Sequence, residues 1–293
     1  MKWNFFLLGI SLLFCCGSHV SSEEKEFLQV HYEEGIEDQS LFSRDSILKN
    51  LQRKVQKKEA LLVHILVPLC DNENQGIVPV NASLGNGLNL TTNLYWGAAY
   101  GMKTYFRKRT DWKFLKSVKP ESPTILERVI FSKSFSNGAK VYLIADAYRG
   151  DKMKECLEDY FSMLSGNKVE TVNEDSLTLS AGSNADLIIF NGHNGLMDVN
   201  VDSPSWSKGR RDAAAIGCYS HSYFKSHFLN TGAYPLLATT HLMAPEAYVA
   251  EALINSWANL SSGDIIRTEA AEAYNTWQKC GMKGAMNLFK TGW

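Results

Sequence analysis

Ala185-Asp186-Leu187-Ile188-Ile189-Phe190-Asn191-Gly192-His193 and, further on, Ala213-Ala214-Ala215-Ile216-Gly217-Cys218 decide how this chain is read. Each begins as a short apolar run without polar alternation, which suits a strand buried on both faces of a parallel sheet. Each run then meets a glycine, where the backbone can turn sharply. The next side chain in each case, His193 or Cys218, is one that does chemistry.

Similar apolar runs occur at Leu61–Leu69, Lys140–Ala145 and Tyr234–Thr239. Helical patterns alternate with them at Asn93–Phe106, Asp151–Leu164, Tyr219–Phe228 and Pro245–Trp257, and a last one spans Asp264–Lys279 with Gly281 as its stop signal. In the second, Met153, Cys156, Leu157, Tyr160 and Leu164 recur at helical spacing, so Cys156 reads as core. Arg128–Phe135 and Lys140–Tyr148 read as a hairpin around Ser136-Asn137-Gly138. An amphipathic helix is expected over Ser43–Glu59, with Ile47, Leu48, Leu51 and Val55 on one stripe. The expected class is α/β, with a mostly parallel sheet in three layers and helices on both faces. Residues 61–293 form its single domain, and residues 23–60 are an acidic lead-in followed by the amphipathic helix.

Composition narrows the function. The chain has 293 residues, 45% hydrophobic and 21% charged, which describes an ordinary globular protein. Thirty basic residues against 31 acidic ones give no net field to hold nucleic acid or anionic membrane. The basic stretch Lys103–Lys119 reads as a solvated helix end and loop. Residues 1–22 read as an export signal, with Lys2 as their only charge, an apolar run from Phe5 to Phe14, and small residues after it. Cleavage is expected after Ser18 or Ser22, giving a periplasmic, cell-surface or secreted protein. Membrane contact would come only through a lipid anchor at Cys15 or Cys16, in a box spoiled by its bulky neighbours. Cys70, Cys156, Cys218 and Cys280 then remain, with no Cys-x-x-Cys pair and no basis in sequence for choosing a disulfide pairing.

Ligands of open α/β sheets bind beyond the carboxyl ends of the strands. That rim carries Cys70, Asp71, Asp146, His193, Cys218, His221 and His241. Cysteine attacks as thiolate, and a neighbouring imidazole can lower its pKa or move its proton. A helix starting at Tyr219 would favour the thiolate further.

Strand, Gly192-His193, a 25-residue step, strand, Gly217-Cys218: this pattern resembles the caspase-like cysteine peptidases, the group that includes caspases, gingipains, legumains and separases. The step is nearest to that of separases. The resemblance implies peptide hydrolysis without a cofactor or metal, on a peptide or protein substrate. Cys218 would be the nucleophile and His193 the acid and base, with an oxyanion hole from the backbone N–H groups of Asn194, Gly195 and Cys218. Asp71, Asp146 and Asp198 would be carboxylates available to recognise a basic side chain. The family usually has glycine directly after its histidine, where this chain has Asn194. A non-catalytic envelope binding protein with the same fold is therefore the alternative. A zinc hydrolase using His193, Cys218, His221 and His241 is a third reading. No dinucleotide fingerprint, phosphate-binding loop or serine-hydrolase elbow is present.

Overall fold

The computed structural model describes residues 42–174 and 177–293; the expected export signal and the cysteines of the lipid box lie outside them. Five strands form the centre of the sheet: β1 (Leu61–Pro68), β4 (Lys140–Tyr148), β7 (Leu187–Asn191), β8 (Asp212–Ile216) and β9 (Tyr234–Thr239). β2 (Lys113–Val118), β3 (Ile125–Ser134) and β10 (Phe289–Lys290) extend it, in the order β10-β9-β8-β7-β1-β4-β3-β2. The central pairs are parallel, and the additions at both edges are antiparallel. The fold is α/β with a mostly parallel sheet.

Period-2 alternation along buried strands splits their side chains between two cores. Val63, Ile65 and Val67 of β1, with Leu187 and Ile189 of β7, face one side. Leu66, Ile188 and Phe190 face the other. The first side is covered by α1 (Asp45–Gln56), α2 (Met102–Lys108), α5 (Ala247–Ala258), α6 (Gly263–Gln278) and α7 (Met282–Leu288). The second is covered by α3 (Met153–Ser165) and α4 (Ser220–Asn230). A separate hairpin of β5 (Val169–Glu174) and β6 (Leu177–Gly182) closes over Ile130, Tyr142 and Ile144 on that second side. The result is three layers. α1 belongs to this compact unit, because Ile47 and Leu51 are buried in the first core. Among the described residues no helix is long and apolar enough to cross a membrane.

Several local expectations need correction. Asn93–Phe106 is helical only from Met102. Before it the chain folds tightly on itself: a Cβ at Gly97 would stand 2.2 Å from the Thr91 carbonyl oxygen. The left-handed residue that ends α6 is Lys279 (φ 55), while Gly281 precedes α7. The stretch Lys103–Lys119 contains α2 and β2. Its Lys103 pairs with Glu127 and its Arg109 with Glu251, so it is more than a solvated loop. Cys156 is core as expected, and the four described cysteines are unpaired.

Candidate active site

β7 and β8 run in parallel with Asn191 opposite Ile216, and the Gly192 N–H donates to the Ile216 carbonyl at 3.1 Å. The two glycines then crowd together: a Cβ on Gly217 would lie 2.6 Å from the Gly192 carbonyl oxygen. Neighbouring strands lie about 4.8 Å apart. His193 and Cys218, each two residues past a paired position, thus leave the same rim on adjacent strands. Tyr219 takes a left-handed conformation (φ 52) and α4 starts at Ser220, so the thiol sits at the N-terminal end of an 11-residue helix. The turn is fastened by the Ser220 hydroxyl, which donates to the Ala215 carbonyl at 2.5 Å. The Thr239 hydroxyl donates to the Gly217 carbonyl.

Asp198 meets the Nε2 of His193 at 2.7 Å and also accepts the Gly76 N–H at 2.9 Å. A carboxylate only accepts, so Nε2 carries the proton and Nδ1 is left for other work. Asn194 is fully buried. Its amide N–H donates to the Cys218 carbonyl at 2.7 Å, and its oxygen accepts the Leu196 N–H at 3.2 Å, capping the 3₁₀ turn Gly195–Met197. One side chain therefore ties the histidine strand end to the cysteine strand end. Among the described residues, the backbone N–H groups of Asn194, Gly195 and Cys218 donate to no other backbone carbonyl.

The thiol is covered. The Met243 N–H donates to Cys218 Sγ at 3.4 Å, and the Met243 carbonyl faces Sγ at 3.5 Å. Burial pushes the thiol pKa up, against the smaller opposing effect of the backbone N–H groups of Met243 and Cys218 itself. The covering strap, residues 240–246, is held along its length. The His241 carbonyl accepts the Tyr219 N–H at 3.1 Å, Tyr274 accepts the Ala244 N–H at 3.2 Å, and Asn191 donates to the Pro245 carbonyl at 2.9 Å. No hydrogen bond joins His193 to Cys218 among the described residues.

The three carboxylates expected to read a basic side chain are otherwise engaged. Asp71 accepts the N–H groups of Glu73 at 2.9 Å and Asn74 at 3.2 Å, shaping the loop after β1. Asp146 lies inside β4 rather than past its end, fully buried between Arg128 (2.6 Å) and His64 (2.9 Å). Asp198 serves His193. The four side chains of the zinc reading do not converge. Among the described residues the one group of three candidate ligands within 4.8 Å is His64, Asp146 and Glu170, and the Arg128 guanidinium bonds both of its carboxylates. His221 and His227, on α4, are half-buried: burial takes the His221 pKa down to about 4, and His227 stacks on Phe161 at 4.3 Å.

Two contributors were not singled out from sequence. Asn93 pairs with both backbone groups of Cys70, at 3.1 and 2.8 Å, and so continues the edge of β1 in the manner of a strand. Met243 acts through its backbone, which leaves no mark on residue type. A search of protein-family models, curated proteins and solved structures finds no match to this chain.

Proposed function

We propose that this chain is an exported, caspase-like cysteine peptidase with Cys218 as nucleophile and His193 as acid and base. The observation that carries the reading is the parallel register that sets both side chains on one rim, each after a glycine, of which Gly217 has no room for a Cβ. Asp198 orients the imidazole as a third, positioning group. Cys218 would pass its S–H proton to Nδ1 of His193 and add through sulfur to the scissile carbonyl carbon, and the resulting oxyanion would be held by the N–H groups of Asn194, Gly195 and Cys218. His193 would protonate the amine as the C–N bond breaks, take a proton from the water that adds to the thioester, and return it to the Cys218 sulfur as the C–S bond breaks. Five exposed apolar side chains, Val78, Leu88, Met197, Tyr223 and Leu242, belong to segments that follow the carboxyl ends of β1, β7, β8 and β9. They suit an extended peptide lying across that rim.

The strap over Cys218 favours a second reading, a binding protein that keeps the fold without turnover. Hydrolysis of a peptide panel varied at the residue before the scissile bond, under reducing conditions and beside Cys218→Ala, decides between them. Turnover that disappears in Cys218→Ala supports the peptidase. No turnover, even after controlled proteolysis to free the strap, supports the binding protein.

A further inference from the structure

The amino ends of the strands carry a second feature, on the opposite rim from Cys218. A cleft of about 290 Å³ opens between α1 and the segments that enter β7 and β8. Four cationic residues line it, Lys54, Lys208, Arg210 and Arg211, with Asp186 as the one acidic residue among them. That carboxylate is already saturated. It accepts from Lys54 at 2.6 and 2.8 Å and from the Leu62 N–H at 2.9 Å.

Arg211 is the decisive residue. It is 95% buried, and among the described residues its guanidinium donates to main-chain carbonyls alone, those of Met163 (2.6 Å) and Leu164 in the last turn of α3 and that of Lys208 (3.3 Å). Asp186 and the carbonyl end of α3 offset its charge only in part, and burial pulls the Arg211 pKa down to about 10. Gly209, left-handed at φ +64, brings its turn against the guanidinium, since a Cβ there would stand 3.4 Å from Nη2. The cleft lies at the small end of the range for ligand sites, which limits an occupant to a group of a few heavy atoms. Planar guanidinium and mobile ammonium donors together suit a phosphate.

We propose that this cleft is a binding site for the phosphate group of a phosphomonoester, independent of the Cys218 rim. The test is titration calorimetry of the purified protein with inorganic phosphate and with phenyl phosphate, using sodium chloride at matched ionic strength as control. Co-sedimentation with phosphatidylcholine vesicles, with and without phosphatidic acid, separates a lipid-borne phosphate from a free one. Saturable binding at one site is expected. It should weaken at least tenfold in Lys208→Glu, whose exposed side chain can be reversed without disturbing the core, and in Arg211→Met. Cys218→Ala should bind unchanged. Heats no larger than those of chloride, or binding that survives Lys208→Glu, would overturn the site.

Discussion

Cys218 is both well placed and shut in. The dipole of α4 favours its thiolate, yet burial beneath the Met243 strap favours the neutral thiol, and burial is the larger effect. Burial also raises Cys70 to about 11 and Cys156 well above its ordinary value, whereas Cys280 is exposed. Alkylation by iodoacetamide at pH 7, mapped by peptide mass, should therefore modify Cys280 first, Cys218 more slowly, and Cys70 and Cys156 last. Because the Cys218 pKa is raised, its rate should still be climbing above pH 9. A Cys218 that reacts fastest at pH 7 would mean that the strap does not cover it in solution. Asp198 has a separate expectation. Asp198→Asn keeps the shape but loses the charge-assisted bond to Nε2, so kcat of any Cys218-dependent hydrolysis should drop about 100-fold. KM should hold, as the residue touches no substrate. A matching loss in KM would return Asp198 to the substrate pocket. His193 and Cys218 were legible because strand, glycine and reactive side chain are adjacent in sequence. Asp198 was seen as a carboxylate but not as the histidine's partner, since the 3₁₀ turn that folds it back is set by the Asn194 cap.

Among the elements, the five central strands were legible from composition, since strands buried on both faces leave uninterrupted apolar runs. β2, β10 and the β5–β6 hairpin were not: their one-sided or very short pairings leave little pattern. The loop after β1 was misread as helix because its Tyr95 and Trp96 are core residues, held there by Asn93 and close glycine contacts rather than by helical repeat. The β5–β6 hairpin is joined to β1 and β4 by a buried polar network. Gly182 donates its N–H to His64 Nδ1 at 3.2 Å, which places the ring proton on Nε2, facing Asp146. Arg128 bridges Asp146 and Glu170. Burial alone would raise the Asp146 pKa, but Arg128 and His64 outweigh it and lower the carboxyl from 3.8 to about 2. A depressed carboxyl contributes stability that is present above its unfolded pKa and lost as pH falls through the folded one. Urea unfolding should thus show about 2 kcal/mol lost between pH 4 and pH 2 through this group. Asp146→Asn should be less stable at pH 6 by about 2–3 kcal/mol, because it removes charge-assisted hydrogen bonds from Arg128 and leaves Glu170 as its remaining carboxylate partner. Its profile should be flatter below pH 4. Equal slopes in the two proteins would remove Asp146 from the acid response.

In the molecule as a whole, the two rims of one sheet do different work. The carboxyl rim carries Cys218 and His193, while the amino rim is closed by charge pairs from a helix that precedes the first strand. Arg44, at the start of α1, bonds Asp212 through Nε at 2.8 Å and Nη2 at 2.7 Å, and Asp212 also accepts the Trp257 ring N–H at 2.9 Å. One fully buried carboxylate thereby fastens α1, β8 and α5 together. Lys54 does the same for Asp186 ahead of β7, and Ile47 and Leu51 fill the core between these two clamps. The amphipathic pattern of α1 was legible, but these long-range partners were not, since 168 positions separate Arg44 from Asp212. The sheet therefore depends on a segment that its strand pattern alone would leave outside the domain. A chain beginning at Ala60 would lose both clamps, strand two buried carboxylates and expose the apolar patch beneath α1, at a cost well above the 2–5 kcal/mol of one buried leucine. A chain beginning at Ser40 keeps every one of these contacts. Thermal melts of the two should differ by more than 10 °C, on the order expected for such a loss at this chain length. Arg44→Met in the full chain should account for about 3–5 kcal/mol of it, by leaving Asp212 buried without its counter-charge. Near-equal melts for the Ser40 and Ala60 chains would show that β7 and β8 hold their register without α1. The amino-rim cleft would then lose the wall that contributes Lys54, and the sheet would have to find its closure elsewhere.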